Sequence, residues 1–233
     1  MNNKTPAVVL LSGGIDSTVL LHNLVKNLAF GPIHTLSFQY GQRHGRELEC
    51  AEWQANAIKA GSHKIIELDF LGDLLKGHSA LVSGGKEVPA LSELSEEAKA
   101  QPPTYVPNRN MILLSLAAAY GEGLRIPDVY YGAQATDSYG YWDCTAVFLE
   151  RLNHVFGLNR DEPIQIHAPF IRMAKSEIVR LGHELSVDFA RTWTCYRGGQ
   201  KACGECPSCV ERLKAFDEAG VEDPLPYERK AKA

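Results

Sequence analysis

Two groups of residues in this chain have types and spacings that suit chemistry. The first is Cys195-x7-Cys203-x2-Cys206-x2-Cys209. Four thiolates this close suit one tetrahedral Zn²⁺, and two-residue spacings let the backbone fold around an ion. Gly198, Gly199 and Gly204 leave the loop free to wrap. A closed structural zinc site follows, with an iron–sulfur cluster as the rival, because four cysteines also suit iron. Unliganded core or redox thiols are the plainer alternative. The second group is Ser12-Gly13-Gly14-Ile15-Asp16-Ser17, where an apolar run, Ala7–Leu11, meets a helical pattern beginning at Asp16. Glycines let backbone N–H groups approach an anion, and a helix N-terminus adds partial positive charge. Ser12 and Ser17 offer hydroxyl donors, while Asp16 suits either a helix cap or Mg²⁺. No lysine follows as in a Walker A loop, and adjacent glycines do not make a dinucleotide fingerprint. A glycine-rich turn before a capped helix is the bland reading.

The elements that must position these groups alternate. Strands are expected at Ala7–Leu11, His34–Phe38, Lys64–Leu68, Asp128–Ala133 and Ile164–Pro169. Helices are expected over Asp16–Leu28, Arg46–Ala60, Asn110–Tyr120 and Lys175–Leu181, with Gly61, Gly121 and Gly182 as stops. That order predicts an α/β fold with a doubly wound, mainly parallel sheet and a small C-terminal zinc-binding subdomain built on the four cysteines. Ligands in such sheets bind beyond the carboxyl ends of the strands, where residues 12–17 would lie. The expected division is residues 1–190 for the nucleotide-binding unit and 191–233 for the zinc unit. Residues 72–106 read as a long excursion, either a lid or a solvated insertion.

Composition narrows the class. The 233 residues are 45% hydrophobic and 22% charged, with a formal charge of -4. Globular proportions argue against wholesale disorder, and the acidic balance argues against tRNA or another long nucleic acid as partner. Neither a signal peptide nor a membrane span is evident, so a cytoplasmic protein with reduced thiols is expected. Cys50 reads as a packed or surface residue. Cys144, after Asp143, is either a pocket residue or a plain structural one.

The loop resembles the SGGxDS pyrophosphate loop of the PP-loop ATP pyrophosphatases. Further stretches are similar, in order, to one family within that group, the QueC family of 7-cyano-7-deazaguanine synthases. They are Phe38 to His44 (FQYGQRH), Val106 to Asn110 (VPNRN), Thr136 to Cys144 (TDSYGYWDC), Pro169 through Lys175 to Ile178, and the cysteine cluster. The resemblance implies ATP cleavage between the α and β phosphates, with the loop gripping the departing pyrophosphate. Leu11, Ser12, Gly13, Gly14, Ile15, Asp16, Ser17, Thr18, Phe38 and Lys175 then belong to the ATP site. Asp16, Arg109 and Lys175 are the catalytic candidates. Tyr40, Gln42, Arg43, Arg109, Asn110, Asp137, Tyr141 and Asp143 are the substrate candidates. Arg43, Arg109 and Lys175 suit phosphates or a carboxylate, although a lone cation is more often a surface charge. Asp137 and Asp143 suit the N–H edge of a guanine-like ring. Tyr139, Tyr141 or Trp142 suit stacking on its face, or ordinary packing.

The implied reaction adenylates 7-carboxy-7-deazaguanine, adds ammonia to give an amide, and adenylates again to eliminate a nitrile. Mg²⁺ accompanies ATP, and a homodimer is implied. Departures from the family pattern cluster near the base pocket. They are Asn108 for Gly, Trp142 for Pro, the Ser138-Tyr139-Gly140 spacing, and Thr145 where Arg often follows. The acceptor amine is therefore the open point, with another amine such as a protein N-terminus as the alternative to ammonia. A PP-loop tRNA-modifying enzyme and a degenerate nucleotide-binding module are the more distant alternatives.

Overall fold

The computed structural model describes residues 4–42, 45–85, 87–95, 97–98, 102–135, 141–159 and 162–229. Five strands, β1 (Ala7–Leu10), β2 (Ile33–Gln39), β3 (Ser62–Glu67), β4 (Asp128–Tyr130) and β5 (Gln165–His167), form one parallel sheet. Their order is β3-β2-β1-β4-β5. The chain winds outward from β1 to β3, then crosses back and continues on the far side with β4. The switch point lies between β1 and β4, and the pyrophosphate-type loop leaves β1 there.

Side-chain alternation along β1 divides the core. Val8 faces one layer, with Leu36, Leu114 and Ala117, while Ala7 and Val9 face the other, with Val19, Leu20, Ile178 and Val179. The helices of that second layer are α1 (Ile15–His22), α2 (Arg46–Ala57), α6 (Lys175–Glu184) and α7 (Pro207–Ala219); α3 (Asp69–Leu74), α4 (Arg109–Leu124) and α5 (Ala146–Phe156) lie on the first. The central strand β1 is buried on both faces, as a parallel strand between helical layers must be, whereas the edge strand β3 is largely open.

The expected helical stops at Gly121 and Gly182 are corrected by the structure: α4 and α6 run through both glycines. Each is a packing residue. A Cβ on Gly121 would sit 2.7 Å from the Ile126 carbonyl oxygen, and one on Gly182 would sit 2.5 Å from the Phe189 ring. The first helix is also shorter than expected, giving way to a π-helical turn over Asn23–Asn27. Three helices, α3, α5 and α7, have no counterpart in the expectations. α5 is capped by Thr145, whose Oγ1 accepts from the Phe148 N–H at 3.1 Å. α7 follows the cysteines and packs along α6, with Ala215 and Phe216 joining the core that holds Val9 and Leu20. Among the described residues, no helix is long and apolar enough to cross a membrane.

Candidate active site

A cavity of about 500 Å³ opens at the carboxyl ends of β1, β2 and β4. Its first end is the Ser12–Ser17 loop. The Ser12 and Ser17 hydroxyls lie 3.0 Å apart, the Ser12 N–H donates to Ser17 Oγ at 3.2 Å, and the Gly14 N–H donates to Ser12 Oγ at 3.3 Å. Gly13 takes a φ of +83°, and a Cβ there would lie 2.0 Å from the Glu47 carbonyl oxygen, so only glycine fits. The Gly13 carbonyl accepts from the Trp193 N–H at 2.9 Å. Gly14 caps α1 without side-chain help, so Asp16 is no cap.

Asp16 instead turns one oxygen toward Lys175, with Oδ2 and Nζ 3.8 Å apart, while Lys175 donates to Glu211 Oε2 at 3.1 Å. The other oxygen, Oδ1, is buried and has no hydrogen-bond partner among the described residues. Burial raises the Asp16 carboxyl above its ordinary pKa against the pull of Lys175, and Glu211 raises it further. A buried carboxylate with a bare oxygen beside a second carboxylate is a fitting place for a divalent cation carried in with a polyphosphate. Thr18 is fully buried and lies behind the loop, outside the cavity lining, as does Gly13.

The second end is assembled from separate segments. Arg109, at the start of α4, reaches Tyr40 Oη at 3.4 Å and Asn110 Oδ1 at 3.3 Å. Asn110 donates from Nδ2 to Cys144 Sγ at 3.2 Å, and Tyr141 Oη lies 2.8 Å from Thr104 Oγ1. Leu81, Leu91, Leu94 and Pro102, from the long excursion, form a further wall. Leu36 and Phe38 supply an apolar bed between the two ends.

Two substrate candidates have other occupations. Gln42, although on the lining, folds back with Oε1 accepting from the Tyr40 N–H at 2.7 Å and Nε2 donating to the Phe38 carbonyl at 3.0 Å. Asp143 is outside the lining and 2% exposed; its Oδ2 accepts from the Asn110 N–H at 3.1 Å, at the N-terminus of α4. Burial raises its pKa while Arg109 opposes. Arg43, His44 and residues 136–140, hence Asp137 and Tyr139, lie outside the described residues.

Three residues in the cavity carry no motif that points to them. Glu211 stands two positions beyond Cys209 on α7. Trp193 is 1% exposed and ties the loop to the cysteines through Gly13. Glu47 lies in the first turn of α2, with burial raising its carboxyl to about 7; the charge of Arg109 lowers it and that of Cys195 adds to the rise. The only sequence signal for Glu47 is its place four residues after Arg43.

Three of the four departures from the family pattern resolve into local structure; Ser138-Tyr139-Gly140 lies outside the described residues. Asn108 has a φ of +54°, the left-handed conformation that glycine adopts freely and asparagine tolerates. Trp142 points outward, donating from Nε1 to Tyr105 Oη at 2.7 Å and packing edge-on against Phe148. Thr145 is the cap of α5.

The four cysteines converge beside this cavity, with their sulfurs all within 4.8 Å of one another and Cys203 3.9 Å from Cys209. One tetrahedral ion with 2.3 Å bonds would set sulfurs about 3.8 Å apart, so the four fit a single metal ion. The site is braced on both sides. Trp193 donates from Nε1 to the Cys195 carbonyl at 3.0 Å, and Arg46 stacks 4.0 Å over the Trp193 ring. Arg197 donates to the Val88 carbonyl at 3.1 Å, and the Leu91 N–H to the Glu205 carbonyl at 3.0 Å. Cluster, loop and excursion are thereby one connected body.

The family model described as "Queuosine biosynthesis protein QueC" matches residues 6–220. The chain is 45% identical over 222 residues to the 7-cyano-7-deazaguanine synthase of Hahella chejuensis, covering 95% of this chain and 93% of that one. It is also 45% identical over 226 residues to the synthase of Marinobacter nauticus, covering 96% and 98%. The chain belongs to the QueC family. Solved structures extend the likeness of this QueC chain at the level of fold. A U34-tRNA thiolase from Methanococcus maripaludis superposes with a TM-score of 0.52 at 14% identity, covering 93% of this chain and 65% of that one. The NMN synthetase of Francisella tularensis superposes at 0.51 and 16%, covering 94% and 79%.

Proposed function

We propose that this chain is an ATP-dependent carbon–nitrogen ligase that converts 7-carboxy-7-deazaguanine and ammonia into 7-cyano-7-deazaguanine, releasing AMP and pyrophosphate. The observation that carries the reading is one cavity with the Ser12–Ser17 loop and Lys175 at one end and Arg109 at the other, in a chain 45% identical to synthases of that name.

The reaction then follows the cavity. Gly14, Ser12 and Ser17 hold the β and γ phosphates, and Lys175 neutralises the charge that pyrophosphate gains as it leaves. Leu36 and Phe38 bed the adenine. Arg109 draws the substrate carboxylate toward the α phosphate, so that bond formation begins from a held pair rather than a collision. Tyr40 orients Arg109, and Asn110 and Tyr141 border the ring pocket, with Arg43 and Asp137 as further contacts from neighbouring segments. Asp16, with Glu211 nearby, would hold Mg²⁺, which would neutralise charge on the phosphates. The cysteines hold Zn²⁺ in a closed structural site, which the single-ion spacing of their sulfurs supports over an iron–sulfur cube.

We place the reaction in the cytoplasm and the working unit in a homodimer. An exposed apolar groove lined by Met111, Trp142, Val147 and Val155 supports the second point. Light scattering checks it. The function itself is tested by incubating the purified protein with ATP, Mg²⁺, ammonium and 7-carboxy-7-deazaguanine. Nitrile with AMP is the expected product; AMP without nitrile, and a product only when another amine is added, would replace ammonia as the acceptor.

A further inference from the structure

The ammonia that attacks the activated carboxylate needs a place of its own in the cavity. At neutral pH it reaches an enzyme mostly as ammonium, a cation that must be held and relieved of a proton before it can attack. A site for it needs an anionic oxygen near the acyl carbon, inside the cavity, and not already committed to another cation.

Asp16 and Glu211 are both engaged with Lys175 at the pyrophosphate end. Asp143 is bonded to the start of α4 and lies outside the lining. Glu47 is the remaining carboxylate among the described lining residues. Its backbone carbonyl lies against Gly13, and its carboxylate feels the charge of Arg109. Glu47 therefore joins the loop, through its backbone, to the cavity wall that also carries Arg109. On the adenylation reading, the acyl–phosphate bond is made and broken between that loop and Arg109. Among the described residues its side chain has no hydrogen-bond or ion-pair partner.

We propose that the Glu47 carboxylate is the ammonium-binding group of this cavity and accepts a proton from ammonium as the acyl adenylate is attacked. The inference rests on the adenylation reading. Ammonium gives one proton to Glu47, and the nitrogen lone pair forms the C–N bond at the acyl carbon. The C–O bond to the phosphate breaks with its electron pair on AMP, whose phosphate takes the second proton. The amide and AMP remain, and Glu47 returns its proton to solvent before the next cycle. Arg109 beside it keeps the acyl oxygen polarised and repels ammonium from the wrong side.

The test compares wild type, E47Q and E47D in three assays. These are ATP–pyrophosphate exchange with 7-carboxy-7-deazaguanine and no amine, amide and nitrile formation against ammonium concentration, and hydroxamate formation from hydroxylamine. Hydroxylamine is already neutral near pH 7 and needs no base. Losing a charged hydrogen-bond partner should raise the KM for ammonium in E47Q about 10–100-fold. Exchange and hydroxamate formation should change far less, and E47D should lie between the two. An unchanged KM for ammonium overturns the proposal, as does an equal loss in all three assays or an E47D no better than E47Q. Should E47Q not fold, E47D alone carries the same comparison between ammonium and hydroxylamine. Wild type without exchange would instead overturn the adenylation reading itself.

Discussion

The two ends of the cavity are built in different ways. At the pyrophosphate end, one short loop at the start of α1 is joined by a single cation from α6 and a carboxylate from α7, paired in series: Asp16 to Lys175, Lys175 to Glu211. At the ring end, Tyr40, Thr104, the Arg109–Asn110 pair and the Tyr141–Cys144 stretch arrive from separate segments and are tied pairwise by hydrogen bonds, Thr104 to Tyr141, Arg109 to Tyr40 and Asn110 to Cys144. A phosphate chain presents the same shape to every enzyme that cleaves ATP, so one short loop at a helix N-terminus suffices. A fused ring bearing a carboxylate has a particular outline, and several segments must converge to fit it. On the proposed function, the step common to ATP-cleaving enzymes falls to the first end and choice of substrate to the second.

The largest effects should separate the ends most cleanly. Lys175→Ala removes the cation from the leaving group and should lower exchange and nitrile formation together, each by about 10²–10³-fold. Arg109→Ala should raise the KM for the carboxylate substrate and leave that for ATP nearly unchanged. Steady-state kinetics against each substrate checks both; a Lys175→Ala variant that lost nitrile but kept exchange would dissolve the distinction.

Cys206→Ser probes whether the pyrophosphate end depends on the cysteine cluster. Trp193 links the Cys195 carbonyl to Gly13, and Arg46 clamps Trp193. Loss of the ion should therefore lower the melting temperature and weaken ATP binding. Calorimetry with metal analysis measures both, and full-strength ATP binding by the metal-free variant would show the link to be idle.

Glu47 gives a pH signature with a defined sign. Its carboxyl is raised in the folded state from 4.5 to about 7, mainly by burial. The folded protein then holds the proton more tightly than the unfolded chain. Stability from this group is present below the unfolded value and lost as pH rises through the folded one. E47Q should match wild type near the acid end of that window and exceed it by about 1–3 kcal/mol above it. Denaturant melts at both ends of the window read the difference. The smallest effect belongs to Asn108. Asn108→Ala should cost about 1–2 kcal/mol for a left-handed residue, while Asn108→Gly should be neutral or slightly stabilising, with substrate KM unmoved.

How much of this was legible in the sequence follows the same division. The glycine-rich loop and the four cysteines are local patterns, each visible within fifteen residues, and the structure brings the four sulfurs together; Lys175, legible only through the family resemblance, arrives from far along the chain to lie 3.8 Å from Asp16. Glu47 and Glu211 were missed because a carboxylate in a helix reads as a solvated face until the fold turns it inward. Gly121 and Gly182 read as helix ends because the contacts that exclude a Cβ, with Ile126, Val19 and Phe189, come from elsewhere in the chain. α5 escaped notice because the exposed apolar residues Val147 and Val155 blur its periodicity. The ring end was read as a set of candidate residues, but which of them face the cavity and which, like Asp143, brace a neighbour depends on packing.

The central claim is that one cavity activates the same carbon twice, adenylating first a carboxylate oxygen and then the amide oxygen, with the pyrophosphate end serving both rounds and the ring end holding the substrate between them. Substrate labelled with heavy oxygen in its carboxylate tests it most directly, by mass spectrometry of all products. Two molecules of AMP for each nitrile, each carrying one labelled oxygen, is the result expected. Unlabelled AMP, or label retained in an amide that accumulates with a single AMP, would contradict it.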